Sequence, residues 1–314
     1  MAAFLSPRVL KAQFKTFNMV EPEGNIIEEA KYMPSWAIGI FGGNFSGSEA
    51  GANAIKNGLQ IETKANIIGN QLVTHYKIGR VDLDCVPTLV PLLVTGIEMK
   101  KDSVVFSERG IGGAPELIRM FTSDCRTRSE TPLKGGGVSF EVEYPLYRKV
   151  VIGLDDTDSS TKGATFVTAL QIAGMVEKMV KGAKFLRLTL SLNWPRNPVK
   201  TTNNASSAVV FAVRPGRETE VISQFTQLLT KYTISKETGM TIMNKIQAPE
   251  ELKAYSRKVK SVHVDVSEAF KVAEHTGVEA IPITGERGLI GALSATGLVD
   301  HPEEAISPVF TNSF

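Results

Sequence analysis

The sequence predicts a two-domain protein of the α+β / α/β class, and three observations predict it. Its 314 residues exceed the roughly 100–200 that one domain usually holds. Residues 1–149 are rich in glycine and short strand-like runs, whereas residues 150–314 alternate strands and helices regularly, as in a sheet covered by helices. Near the join, Thr122 to Ser139 carries Arg126, Arg128, Lys134 and the triplet Gly135-Gly136-Gly137, a composition that suits a linker.

Composition narrows the class. With 42% hydrophobic and 22% charged residues, the chain is neither disordered, collagen-like nor a coiled coil. Its 35 basic and 33 acidic side chains leave a charge of +2, which argues against a dedicated nucleic-acid coat while leaving room for a local basic cleft. Cys85 and Cys125 form no CxxC and have no histidine at metal spacing. They speak against a zinc site built from neighbouring ligands and fit a reducing cytoplasm. The longest apolar run, Val86 to Ile97, is broken by Pro87, Pro91 and Gly96 and falls short of the roughly 18 residues of a membrane span. Met1 to Val20 is basic without an acid but alternates through Val9, Lys11, Gln13 and Lys15, which favours a first strand over a targeting segment.

In residues 1–149, strands are expected at Trp36 to Phe41, Gln71 to Ile78, Val81 to Val86 and Ser103 to Phe106, with helices at Ser48 to Asn57 and Pro115 to Phe121. In residues 150–314, Val150 to Leu154 reads as a buried central strand. Phe166, Ala169, Leu170, Ala173, Val176 and Val180 follow at helical spacing, with Ser159, Ser160 or Thr161 available as N-cap. Leu186, Leu188, Leu190 and Leu192 alternate with Arg187, Thr189 and Ser191 as a half-buried strand, and Ala208 to Val213 is expected to pair with it antiparallel. Val221, Ile222, Phe225, Leu228 and Leu229 mark a helix, and Pro249-Glu250-Glu251 opens another. Val262 to Val266 reads as a strand and Ser267 to His275 as a helix.

Three stretches carry chemistry. In Gly153-Leu154-Asp155-Asp156-Thr157-Asp158-Ser159, three carboxylates crowd within four positions after an apolar strand and before a helix. Such like charges repel unless a cation or donors compensate them, and magnesium commonly takes one or two carboxylates together with substrate phosphates. A solvated turn with Asp158 or Ser159 as a cap is the plainer alternative. The second stretch, Asn193 to Asn204, holds Arg196, Lys200, Thr201, Thr202 and several amides, donors suited to phosphate and nucleobase. A polar loop with Trp194 against the core competes with that reading. The third, Gly285 to Leu293, is a glycine-punctuated approach to an apolar helix whose N–H groups and Arg287 could meet an anion; close helix packing explains it equally. No Walker A, GxGxxG, GxSxG, HExxH or HRD signature occurs. His75, His263, His275 and His301 share no spacing and read as structural or exposed.

Together these motifs resemble a known pattern. Gly153 to Ser159, Lys200-Thr201 followed by an asparagine, Pro249-Glu250-Glu251-Leu252 and Arg287 to Leu293 occur in the same order in the archaeal agmatinylcytidine synthetases that modify an isoleucine tRNA. Asp155-Asp156-Thr157-Asp158, Gly163-Ala164-Thr165 and Lys200-Thr201-Thr202-Asn203 are similar to the methanogenesis marker protein 11 family, whose members carry an N-terminal domain of about this size. The resemblance implies a kinase-like ATP-binding domain over 150–314, with parts like the synthetase's kinase-like and ferredoxin-like domains. It implies ATP and Mg2+ as cofactors, Asp155, Asp156 and Asp158 as metal ligands, and Lys200 near the transferred phosphate. It also implies Thr157, Thr201, Asn203, Arg287 and Gly288 around the nucleotide, and Thr165 nearest to the synthetase's phosphorylated threonine.

The synthetase continues into an OB fold and a zinc ribbon, whereas this sequence ends at Phe314 without a four-cysteine set, so tight tRNA binding is not expected. The expected function is ATP- and magnesium-dependent phosphoryl or nucleotidyl transfer to an unknown acceptor in a methanogenesis-associated pathway or maturation step, in the cytoplasm, with no membrane partner. A homo-oligomer is compatible with the sequence. RNA modification by the same chemistry and a non-catalytic ATP-binding assembly factor are the alternatives.

Overall fold

The computed structural model describes residues 14–34, 66–84, 92–121, 125–134, 136–197 and 204–308. The chain divides into two compact units, Met1–Tyr147 and Arg148–Phe314. The strand expected at Trp36 to Phe41 and the helix expected at Ser48 to Asn57 lie outside the described residues, as does the alternating segment before Phe14.

In the first unit, β1 (Lys15–Val20) pairs antiparallel with β2 (Ile26–Tyr32), which pairs with β4 (Gln71–Lys77) beside the short β3 (Asn66–Ile68). A second ladder runs β5 (Gly79–Arg80), β6 (Leu92–Met99), β7 (Ser103–Gly110), the first part of β9 (Val138–Asp155) and β8 (Arg126–Pro132), with α1 (Ala114–Phe121) after β7. Ile27, Tyr76, Phe106, Phe140 and Tyr144 lie in its core.

That core also encloses charge. Asn18 stands opposite Glu29 in the β1–β2 register, Lys31 Nζ lies 2.8 Å from Glu29, and all three are buried together with Glu108. The Tyr144 hydroxyl donates to Glu108 Oε1 at 3.5 Å. Burial above all pushes the Glu108 carboxyl up to about 7; Lys31 pulls it down and Glu29 pushes it further up.

Two expectations for this unit fail. The expected linker at Thr122 to Ser139 instead contains β8, hydrogen-bonded along β9 with a register shift between Thr127 and Ser129; Thr127 and Thr131 supply strand-forming residues despite exposure. Of the strand expected at Val81 to Val86, Val81 to Asp84 do not form one, the Leu83 carbonyl accepting instead from the Arg109 guanidinium at 2.6 Å, and Cys85 and Val86 lie outside the described residues.

In the second unit, five antiparallel strands run in the order β10 (Ala183–Leu192), β11 (Ala205–Val213), the end of β9, β12 (Gly239–Met243) and β13 (Glu279–Pro282). Pairing of β10 with β11 follows expectation. Val150, Ile152 and Leu154 of β9 face α2 (Thr165–Met179) and α3 (Glu218–Tyr232), with Ala169, Ile172, Ala173, Val176 and Phe225 in the same core. Truncating a buried phenylalanine of this kind to alanine costs roughly 3–5 kcal/mol. By strand alternation, Val151, Gly153 and Asp155 face the other side. There α6 (Gly288–Gly297) lies on the sheet: a Cβ on Gly153 would strike the Ala292 carbonyl and the Thr296 and Thr241 hydroxyls.

Two further helices pack against α6: α4 (Glu250–Val259), which Pro249 and two glutamates open, and α5 (Val266–Thr276), which ends at Gly277 with φ +67°; a loop joins them, and α7 (Pro302–Ile306) lies against β10. The loop replaces the strand expected at Val262 to Val266. Among the described residues the chain has seven helices, and none is long and apolar enough to cross a membrane.

The hydrophobic pattern misleads at β10. A register shift between Phe185 and Arg187 buries Arg187, Thr189 and Ser191, while Leu188, Leu190 and Leu192 are only half-buried. The polar side faces the α6 layer: Arg187 pairs with Asp300, Lys149 Nζ reaches the same carboxylate at 2.8 Å, and the Thr189 hydroxyl donates to the Val299 carbonyl at 2.8 Å. On α2, Phe166 and Leu170 are exposed and Ile172 takes the core position.

Candidate active site

Strand β9 ends at the acidic motif. Period-two alternation carries Asp155 to the α6 side, where a Cβ on Gly291 would collide with its carboxylate; the helix comes this close only because that residue is glycine. Asp156 takes φ +52°, a left-handed backbone that stops the strand. Its N–H donates to Asp155 Oδ1 at 2.7 Å, and the Thr238 hydroxyl donates to its carbonyl at 2.7 Å. Its carboxylate receives Arg287 Nε at 3.0 Å.

Asp155, Asp156, Arg287 and Gly291 line a cavity of about 360 Å³ together with Glu237, Glu286 and Asp265. The volume falls within the range of small-molecule sites. Trp194, Val259, Val264 and Ile290 supply apolar wall, and Arg287 is the one lysine or arginine among the described residues lining it. Burial, then the Asp156 charge, pushes the Asp155 carboxyl well above the ordinary range, against the pull of the Asp156 N–H. Burial also raises Asp156, partly offset by Arg287.

Two crowded, proton-hungry carboxylates with oxygen-only donors fit a hard divalent ion that completes its shell with phosphate and water. The three-aspartate set does not hold together. Asp158 is buried beside Gly163, whose φ is +88°, and does not line the cavity. Among the described residues, no three His, Cys, Asp or Glu side chains are grouped to hold a metal ion. The turn begun at Asp156 has already carried the chain away from the α6 side.

Other expected site residues take different places. Thr165 is buried and bonded to Thr157, whose N–H and hydroxyl lie 3.4 and 3.2 Å from its Oγ1; it fastens the acidic loop to α2 and does not line the cavity. Thr157 is likewise buried, and its carbonyl accepts from the Ile234 N–H at 3.1 Å. The expected serine or threonine N-cap of α2 is Ala164; Ser159 Oγ instead accepts from the N–H groups of Thr161 and Lys162 at 3.4 and 3.1 Å. The Gly288 N–H donates to the Glu237 carbonyl at 2.8 Å and the Arg287 N–H to Glu237 Oε2 at 3.4 Å, so the start of α6 is already partnered within the protein. Lys200, Thr201 and Asn203 lie outside the described residues. The residues flanking them are anchored: the Asn193 N–H donates to the Asn204 carbonyl at 2.8 Å and the Trp194 N–H to the Val259 carbonyl at 3.0 Å, while Asn204 Nδ2 donates to the Trp194 carbonyl at 2.6 Å.

Glu237, His263 and Asp265 line the cavity without having been singled out as site residues by sequence, as does Asn193, which the sequence placed only in its second polar stretch. Glu237 gave no signal, sitting in a polar loop far from any motif. Asn193 opens the polar loop, and its partners Ser206 and Ser294, at 3.2 Å each, are contacts that only the fold creates.

The fold and site define an α+β protein with an acidic cavity at the end of a central strand. Residues 151–285 match the TiaS TCKD domain. The chain belongs to the family of the uncharacterized protein MJ0921 of Methanocaldococcus jannaschii, with 33% identity over 237 residues, 74% of this chain and 79% of that protein. It is also similar to the tRNA 2-agmatinylcytidine synthetase TiaS of Thermococcus sibiricus, 26% identical over 157 residues, 49% of this chain and 35% of the synthetase. Among solved structures it is similar to TiaS in complex with its isoleucine tRNA and ATP, at 26% identity and a TM-score of 0.43, covering 48% of this chain and 36% of that one. The chain thus spans about a third of the synthetases it matches.

Proposed function

We propose that the unit Arg148–Phe314 binds ATP with magnesium and activates an acceptor by phosphoryl or nucleotidyl transfer, with RNA as the leading acceptor class. The observation that carries this reading is the coincidence of the TiaS TCKD match with a strand end whose two carboxylates, Asp155 and Asp156, line a cavity of nucleotide-compatible volume. A cavity wall with five carboxylates and one arginine repels a bare triphosphate, so a divalent ion must accompany it. Magnesium held by Asp155 and Asp156 would neutralise the phosphates; Arg287 would steady them. Lys200 is proposed, from the motif alone, to approach the transferred phosphate.

The RNA acceptor rests on the name of the matched synthetases. A methanogenesis-associated setting rests on the motif resemblance alone. The test is product analysis: the full chain is incubated with ATP, magnesium and either total archaeal tRNA or a small-molecule extract, and the phosphate-containing products are resolved. Magnesium-dependent ADP or AMP formation stimulated by RNA supports the reading. Tight ATP binding with no product under any condition would replace it with a non-catalytic nucleotide-binding role.

A further inference from the structure

We propose that Asn193 is a fixed, uncharged donor that takes a phosphate oxygen of the nucleotide beside Asp155; the inference rests on the nucleotide-site reading above. Asn193 follows the last residue of β10, lines the cavity and is 6% exposed. Its side chain is held at both ends by hydroxyls that are themselves fully buried. Ser294 of α6 donates to Oδ1, and Nδ2 donates to Ser206 of β11, each at 3.2 Å. The backbone is fastened as well, since the Asn193 N–H donates to the Asn204 carbonyl at 2.8 Å. One amide is thus oriented before any ligand arrives, the condition under which a donor needs no reorganisation to act.

The amide has a hydrogen to spare. A carboxamide carries two N–H donors, and the bond to Ser206 uses one. Its neighbour is Asp155: a Cβ on Gly291 would strike Asp155 Oδ2 and lie 3.0 Å from Asn193 Nδ2, so the two atoms flank one point beneath α6. Asp155 Oδ1 accepts the Asp156 N–H at 2.7 Å, which leaves Oδ2 on the Asn193 side for a ligand. Magnesium bound there would bring phosphate oxygens with it, and the neighbouring amide hydrogen is the donor for one of them.

Charge explains why an amide stands at this place. Among the described residues, five carboxylates and one arginine line the cavity, and Asp156 holds that arginine at 3.0 Å. A neutral donor meets phosphate without adding to the repulsion. A staple joining β10, β11 and α6 would need only the two serine bonds; a place on the cavity wall beside Asp155 is what that plainer role leaves unexplained.

The experiment uses the full chain and three calorimetric probes: magnesium alone, magnesium with tripolyphosphate, and magnesium with ATP. Wild type is compared with Asn193→Asp, which keeps an oxygen for each serine and removes the donor, with Asn193→Ser and with Ser294→Ala; thermal melting accompanies each. Asn193→Asp should bind both phosphate probes at least about tenfold more weakly, the range of one hydrogen bond to a charged group, while holding the bare ion no less tightly than wild type. Asn193→Ser should show the phosphate loss without an added charge. Ser294→Ala, which frees the amide to turn, should weaken the phosphate probes by about threefold. Equal loss of bare-ion and phosphate affinity overturns the assignment, as does unchanged phosphate affinity in a folded Asn193 variant. Loss with ATP but not with tripolyphosphate also overturns it, because the donor then serves the nucleoside. If neither Asn193 variant folds, the residue is a staple and the assignment falls. A wild type that binds neither phosphate probe overturns the nucleotide site itself.

Discussion

Carboxyls with raised proton affinity occur in both units, and their surroundings differ. Glu108 is enclosed by strands and aromatic rings, with Lys31, Glu29 and the Tyr144 hydroxyl as its neighbours. Asp155 and Asp156 stand at a strand end and line a cavity. Raised affinity alone therefore does not define a site. A carboxyl becomes available for chemistry when the groups that could compensate its charge are left to a ligand, as at Asp155, and not supplied by the core, as around Glu108.

The largest expected effect is at the enclosed carboxyl. The folded pKa of Glu108, about 7 against an ordinary 4.5, lies above its unfolded value, so its protonated form is favoured by folding. Stability is complete at low pH, declines between about 4.5 and 7, and is flat above that. Glu108→Gln mimics the protonated acid and is expected to gain on the order of 3 kcal/mol at pH 8 and nothing at pH 4. Denaturant melts monitored in the first unit check this; a pH-independent effect would break the distinction between the two environments.

At the cavity, Asp155→Ala and Asp156→Ala are expected to weaken magnesium–ATP binding at least about tenfold, on the order of 1.4 kcal/mol, and to leave folding intact because each relieves repulsion. Isothermal titration decides it, and unchanged affinity in both folded variants removes the site. Comparable in size is the effect of magnesium alone. At ten times its dissociation constant it should stabilise the protein by about 1.4 kcal/mol at pH 8. Acidification should erase that gain, since the raised Asp155 and Asp156 groups take protons in its place; thermal shift with and without EDTA across pH measures it. The smallest effect is expected with total tRNA in about 150 mM salt: no submicromolar gel shift, because a net charge of +2 neutralises few phosphates. A tight, steeply salt-dependent shift would overturn that expectation and strengthen RNA as the acceptor.

Much of the second unit was legible because its signals are local. Val150 to Leu154 and the acids after it could be placed at a strand end from their order alone. Position on the α6 side, which separates Asp155 from Asp158, required the strand to continue through Asp155 and to stop at a left-handed Asp156. β10 was readable as a strand but not in its facing, because a register shift and the Lys149–Asp300–Arg187 group bury the polar side. β12, with the sequence Gly-Met-Thr-Ile-Met, carries too few strand formers to stand out, yet it neighbours the central strand. Val262 to Asp265 has strand composition and turns into the cavity instead.

The tight seam between α6 and the sheet sets a rule for sequence drift. Gly153 and Gly291 each face atoms that leave no room for a methyl group, whereas Phe166 and Leu170 on α2 are exposed. A saturation library selected for folded protein should therefore accept polar residues readily at the two apolar positions and almost nothing but glycine at the two seam positions. Descendants of this sequence can be expected to diverge fastest on the outer surface of α2, to keep Gly153 even in lineages where the acidic motif has decayed, and to keep Gly291 only as long as Asp155 stands opposite it.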